Sequence, residues 1–144
     1  DKNKRENNQE LFFPTPQEEG LNPPLDARIL EGLRDVEALE EVIDIYFETA
    51  PPLISKINNA LLNTDINALR TSSHSLKSIS GTIGARPLFE VCQTLEIMAR
   101  QSLESGNAIP VEAFTILKQI EVEYQRVTDA LEKERELFSL ANKT

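Results

Sequence analysis

The strongest constraint on this chain is the spacing of four aliphatic residues, Leu69, Leu76, Ile79 and Ile83, which leaves Arg70, His74, Lys77, Ser78, Gly81 and Ala85 on the opposite stripe. On a helix, where each residue advances by about 100°, the two sets cannot share a face, so burying the aliphatics turns the second stripe outward. The chain has a single histidine, His74, and it sits on that outward stripe. A core histidine satisfied by its neighbours is the usual alternative, but here the core face is already occupied by aliphatics. Arg70 stands one turn before the ring and Lys77 about one turn after it, with small residues around them. Such a setting points to anion chemistry at the imidazole, because two cationic side chains can converge on one phosphate oxygen.

The same period runs through most of the chain. Leu25 to about Leu33 reads as a short helix with Asp26 near its start, an apolar stripe of Leu25, Ile29, Leu30 and Leu33, and a weak point at Gly32. A longer helix from about Asp35 to Leu62 carries Leu39, Ile43, Tyr46, Ala50, Leu53, Ile57 and Ala60, and Pro51-Pro52 predicts a kink or a split within it. Thr64 or Asp65 can cap the histidine helix, which is expected to end near Gly84 in a left-handed turn. Pro87 fits the first turn of a helix from about Arg86 to Glu104, with Leu88, Cys92, Leu95, Ala99 and Leu103 on its core stripe and Glu96 at the stripe's edge. Gly106-Asn107 closes it, and Pro110 opens a last helix that carries Ala113, Leu117, Ile120, Tyr124, Val127 and Leu131 and runs to about Leu140. The expected fold is all-α, an antiparallel four-helix bundle with a short extra N-terminal helix over one end. Residues 1–22, broken by Pro14, Pro16 and Gly20, read as a linker or disordered tail, and the bundle domain spans residues 23–144. Leu11, Phe12 and Phe13 interrupt the polar tail, as a contact onto the domain surface or as a docking segment.

Composition narrows the function. Acidic side chains outnumber basic ones by 24 to 15, a net charge of −9, which disfavours nucleic acid and anionic membrane as partners. One cysteine excludes an internal disulfide, and Cys92 on a core stripe reads as a buried free thiol in a reducing compartment. One histidine and one cysteine cannot furnish the usual zinc set, so no metal site is expected. No apolar run approaches a membrane span, and the expected location is the cytoplasm. Neither a nucleophile elbow for a hydrolase nor a glycine-rich loop for ATP is present, so the chain reads as a non-enzyme.

Around the histidine the sequence resembles the histidine-containing phosphotransfer (HPt) domain family, whose motif runs His, any residue, Leu, Lys, Gly, with Gly-Ala ten and eleven positions after the histidine. His74, Leu76, Lys77, Gly84 and Ala85 match, and Ser78 replaces the family glycine. The likeness extends over residues 25 to 131. It implies a phosphorelay intermediate in which His74 accepts phosphoryl from a response-regulator receiver aspartate and passes it to another, while Lys77 stabilises the phosphate charge. It implies no cofactor in this chain, with magnesium held by the receiver. It also implies a monomer, either standing alone or cut from a hybrid sensor histidine kinase. Partner contact is expected at Arg70, Ser78, Gly81, Gly84 and Arg86, and at an apolar patch including Ile29 and Leu33.

A neutral imidazole nitrogen offers its lone pair without first losing a proton, and the other ring nitrogen needs an acceptor to hold its N–H. Glu96 on the next antiparallel helix is the candidate, and some family members carry Glu or Gln at that spacing. Gln93 is the second choice, and a rim carboxylate paired with Arg100 is the competing reading of Glu96. Two other functions fit the pattern. One is the dimerisation and phosphoacceptor domain of a histidine kinase, in which an acid usually follows the histidine where Ser75 stands here, and the other is a purely structural helical adaptor.

Overall fold

In the computed structural model, which describes residues 22–142, every regular element is helical among the described residues. Asp26 starts the first helix, α1 (Ala27–Asp35), by accepting the Arg28 backbone N–H at 2.9 Å. The chain then turns at Glu37, whose φ of 59° ends any continuation, so α2 spans Leu39–Leu62 and starts later than its apolar period implied. Asp65 rather than Thr64 caps α3 (Ile66–Thr82), accepting from Ala68 N–H at 3.1 Å. Thr64 sits in the left-handed region at φ 51° and donates its hydroxyl to the Asn63 carbonyl. Two helices follow, α4 (Arg86–Ser105), closed by Gly106 in the left-handed region, and α5 (Glu112–Asn142).

Short connections make successive long helices antiparallel, and α2 packs on α3, α3 on α4, α4 on α5 and α5 back on α2. The bundle is therefore closed, with Ile43, Ile57, Leu69, Leu76, Ile83, Leu88, Leu95, Ile120, Val127 and Leu131 fully buried along its axis. Tyr46 and Ser80 join their hydroxyls across α2 and α3 at 3.2 Å, inside that core. No helix among the described residues is long and apolar enough to cross a membrane. The expected tail over residues 1–22, with Leu11, Phe12 and Phe13, lies outside the described residues except for Asn22, whose carbonyl accepts from Arg126 at 2.6 Å.

Several expectations are corrected. Helix α2 passes through Pro51 and Pro52 without splitting. Each proline deprives a carbonyl one turn earlier, at Phe47 and Glu48, of its helical donor, but both rings lie on the exposed side where water can take that place. Leu103 is 37 % exposed, and Ser102 is buried in its stead, donating to the Ala108 carbonyl at 3.3 Å. Helical phase does not choose between the two, since each lies about 50° from the axis of the stripe formed by Leu88, Cys92, Leu95 and Ala99, on opposite sides of it. Ala85 does not share the outward stripe of His74. Helix α3 ends at Thr82, Gly84 reverses the chain, and Ala85 is fully buried with its N–H on the Ser80 carbonyl at 2.8 Å.

Gly84 is the hinge of the α3–α4 turn. Its φ is +79°, and a Cβ built there would stand 2.8 Å from the Cβ of Ile29 on α1. Its carbonyl also accepts the Asp26 N–H at 2.8 Å, so α1 is tied to this turn. Gly106 has the same left-handed backbone at φ +78° but open space around it. Alanine at Gly106 is expected to cost about 1 kcal/mol, and at Gly84 about 2–4 kcal/mol because α1 must also move. Urea unfolding of the two variants checks the difference, and equal losses would show that the Ile29 contact relaxes freely.

Candidate functional site

The site forms where α3 and α4 run side by side. Gly81 of α3 lies close against α4, where a Cβ would stand 3.2 Å from the Phe89 ring, while Ser72, Ser73 and Ser80 are buried and the Ser73 hydroxyl donates to the Leu69 carbonyl at 2.7 Å within its own helix. With Leu69 and Leu76 in the core, the same helix presents His74 outward, its side chain 60 % exposed. The outward stripe expected from the aliphatic spacing holds for this residue.

Glu96 of α4 is buried, its side chain only 7 % exposed, and three side chains converge on its carboxylate. His74 donates Nδ1–H to Oε2 at 2.9 Å, the ring tautomer being set by an ionised partner that can only accept. Lys77 Nζ lies 2.8 Å from Oε1, an ion pair whose angles fall outside those of a hydrogen bond although its charge compensates the oxygen. Arg100 Nη2 stands farther off, 3.8 Å from Oε2. Burial pushes the Glu96 carboxyl upward, but the nearby Lys77 ammonium and then the His74 bond outweigh it and hold the group below its ordinary value. Glu96 is thus a buried, ionised acceptor and not a rim carboxylate, although its contact to Arg100 also exists.

The remaining ring nitrogen, Nε2, has no partner among the described residues. It faces outward with its lone pair available, because the proton is held on the other side of the ring. Gln93, the other candidate acceptor, is exposed and its side chain makes no hydrogen bond to any described residue. The Cys92 thiol, one turn before Glu96, is pushed up to about 12 by burial, with the Glu96 charge adding and the Lys77 charge opposing. It is an inert core thiol.

Two turns beyond His74 a shallow groove of about 220 Å³ is lined by Asp26, Ile29, Gly81, Gly84, Arg86 and Phe89. It brings together four of the residues expected to meet a partner, namely Ile29, Gly81, Gly84 and Arg86. Arg86 is exposed and lies 4.0 Å from Asp26. Leu33 is half-buried against the core and does not line the groove. Arg70 and Ser78 are exposed on the His74 stripe, and Arg70 makes no ion pair with a described residue. Phe89 went unnoticed in the sequence. The available signal was a large aromatic one position past Leu88, just off the core stripe of α4. Among the described residues no cluster of three or more His, Cys, Asp or Glu side chains could hold a metal.

Because the folded carboxyl of Glu96 is depressed, its ionised form contributes stability that is fully present above the ordinary value of 4.5 and is lost as pH falls through the lower folded value. Glu96→Gln is therefore expected to be less stable by roughly 1–3 kcal/mol at neutral pH, since it strands the half-buried Lys77 charge. Melting curves of the two proteins should converge as pH falls below 4.5 and through the lower folded value. A gap that stays constant across that range would assign the loss to packing.

A search of curated proteins finds no match to this chain. Among solved structures it is similar to the crystal structure of histidine-containing phosphotransfer protein B from Pseudomonas aeruginosa PAO1, at 28 % identity and a TM-score of 0.71, over 79 % of this chain and 96 % of that one. The likeness takes in the helical bundle, and the Hpt domain model matches residues 41–136, which include His74, Lys77 and Glu96. By that match over most of its length, this chain belongs to the Hpt domain family.

Proposed function

We propose that the chain is a phosphorelay intermediate of two-component signalling, working in the cytoplasm. His74 takes a phosphoryl group from the aspartyl phosphate of one response-regulator receiver domain and hands it to the aspartate of another. The observation that carries this reading is the exposed imidazole whose Nδ1–H is fixed on a buried, ionised Glu96, leaving Nε2 free.

In the forward step the Nε2 lone pair forms a bond to phosphorus while the phosphorus–oxygen bond of the acyl phosphate breaks, and the receiver carboxylate leaves with the electron pair. No proton has to move. The ring becomes cationic as the new bond forms, and the Glu96 carboxylate at 2.9 Å stabilises that charge. Lys77, beside the ring on the same helix, adds positive potential for the incoming phosphoryl. Passage to a second aspartate reverses these steps. Magnesium and the acidic pocket are supplied by the receiver, so this chain needs no nucleotide or metal of its own. Lys77, Arg70 and Arg86 make a basic rim on an otherwise acidic protein, which suits an acidic receiver pocket and steers the encounter.

A core closed by four long helices of a single chain supports a carrier acting as a monomer. It speaks against the dimerisation domain of a histidine kinase, which completes its bundle from two copies.

The test is incubation with a panel of phosphorylated receivers, followed by mapping of an acid-labile, base-stable phosphate to His74. His74→Gln should take up none while keeping wild-type helicity, with stability changed by less than about 0.5 kcal/mol, because the side chain is mostly outside. Uptake by that variant would move the acceptor elsewhere. Glu96→Ala should slow transfer roughly tenfold or more, and the neutral ring should shift toward the Nε2–H tautomer, as read from imidazole ¹⁵N spectra. Slower transfer with an unchanged tautomer would limit Glu96 to charge stabilisation.

A further inference from the structure

One side chain, Phe89, joins the groove to the surroundings of the histidine. Phe89 forms a wall of the groove with Ile29 and Arg86. Its ring lies against the backbone of Gly81, so closely that a Cβ there would meet Cδ2 at 3.2 Å. The ring also holds the Lys77 ammonium over its face, 5.8 Å from the centroid. That distance lies within the range where the electron-rich face of an aromatic attracts a cation. Lys77 is consequently fixed between two partners, the ring and Glu96 Oε1, and its side chain is only 18 % exposed.

We infer that Phe89 is a positioning residue for the phosphoryl-accepting histidine, acting through Lys77 and Glu96. The chain of contacts runs from the ring to the ammonium, from the ammonium to Oε1, and from Oε2 to Nδ1 of His74. Lysine has a flexible four-carbon stem, and without the ring its ammonium can swing into water and leave Oε1 uncompensated. The carboxylate that orients the imidazole is then held by Arg100 and His74 alone. Since the same ring forms a groove wall, a partner lodged in the groove presses on the element that sets the position of Lys77. The inference rests on the reading of His74 as the phosphoacceptor, and it is tested with a donor too small to occupy the groove.

That donor is phosphoramidate. The Nε2–phosphorus bond forms as the phosphorus–nitrogen bond breaks, and ammonia leaves with the electron pair. Phe89→Leu keeps an apolar side chain but removes the ring face, and Phe89→Tyr keeps the ring. The leucine variant is expected to label about fivefold more slowly than wild type, with tyrosine restoring the rate. In a Lys77→Ala background the same leucine substitution should make no further difference, since the two residues act as one unit. An unchanged rate in Phe89→Leu, or an undiminished effect in the Lys77→Ala background, would overturn the inference and leave Phe89 as a groove wall only. NMR supplies a readout independent of phosphoryl uptake. The Lys77 side-chain protons should move toward free-lysine positions in Phe89→Leu but not in Phe89→Tyr, and the His74 Nδ1 resonance should move with them. Static Lys77 and His74 signals would overturn the coupling. Failure of wild-type His74 to take phosphoryl from either phosphoramidate or receivers would instead strike the phosphoacceptor reading.

Discussion

A carboxylate cannot be taken out of water alone. Glu96 is buried at the seam of α3 and α4, and its ionised state is held first by Lys77 and then by His74, with Arg100 farther off on the surface side. That requirement fixes the rest of the site. The two helices must run close enough for short bonds, and the histidine must stand at the edge of the seam with one nitrogen turned in and the other out. An exposed side chain on a helix would ordinarily sample several rotamers, and the bond to a rigid acceptor removes that freedom from His74.

Much of this was legible in the sequence because helical period is a one-dimensional signal. Leu69 and Leu76 predict which way His74 faces, and Leu88, Cys92, Leu95 and Ala99 predict the buried stripe of α4. The errors have physical causes. The period admits Leu103 and Ser102 equally, at similar angles on either side of the stripe, and it is Ser102 that is buried and finds a carbonyl for its hydroxyl. Ala85 was placed on the histidine stripe by extending the period through Gly84, whose positive φ ends it. Pro51 and Pro52 signal lost hydrogen bonds, but sequence does not say that these losses face solvent, where they break no helix.

The site itself was only half legible. The twenty-two residues separating His74 from Glu96 place the two on facing helices, yet the division of the carboxylate's two oxygens between a histidine and a lysine depends on the distance between helices. Phe89 lies beyond that horizon altogether. Its meaning comes from the meeting of three elements, since its ring touches Gly81 of α3, shares a groove with Ile29 of α1 and carries the Lys77 ammonium over its face. No periodicity within one helix encodes such a meeting.

The attachment of α1 has a consequence for how such a protein can change over generations. The helix is tied to the bundle by a backbone bond, Asp26 N–H to the Gly84 carbonyl, and by the fit of Ile29 against a glycine. A main-chain bond does not read side-chain identity, and Leu30 is the residue within α1 that the core buries. The outer face of α1 and the exposed Arg86 can therefore change while the bundle that holds the histidine stays as it is. Phe89 has no such freedom, because it lines the groove beside α1 and also touches Lys77.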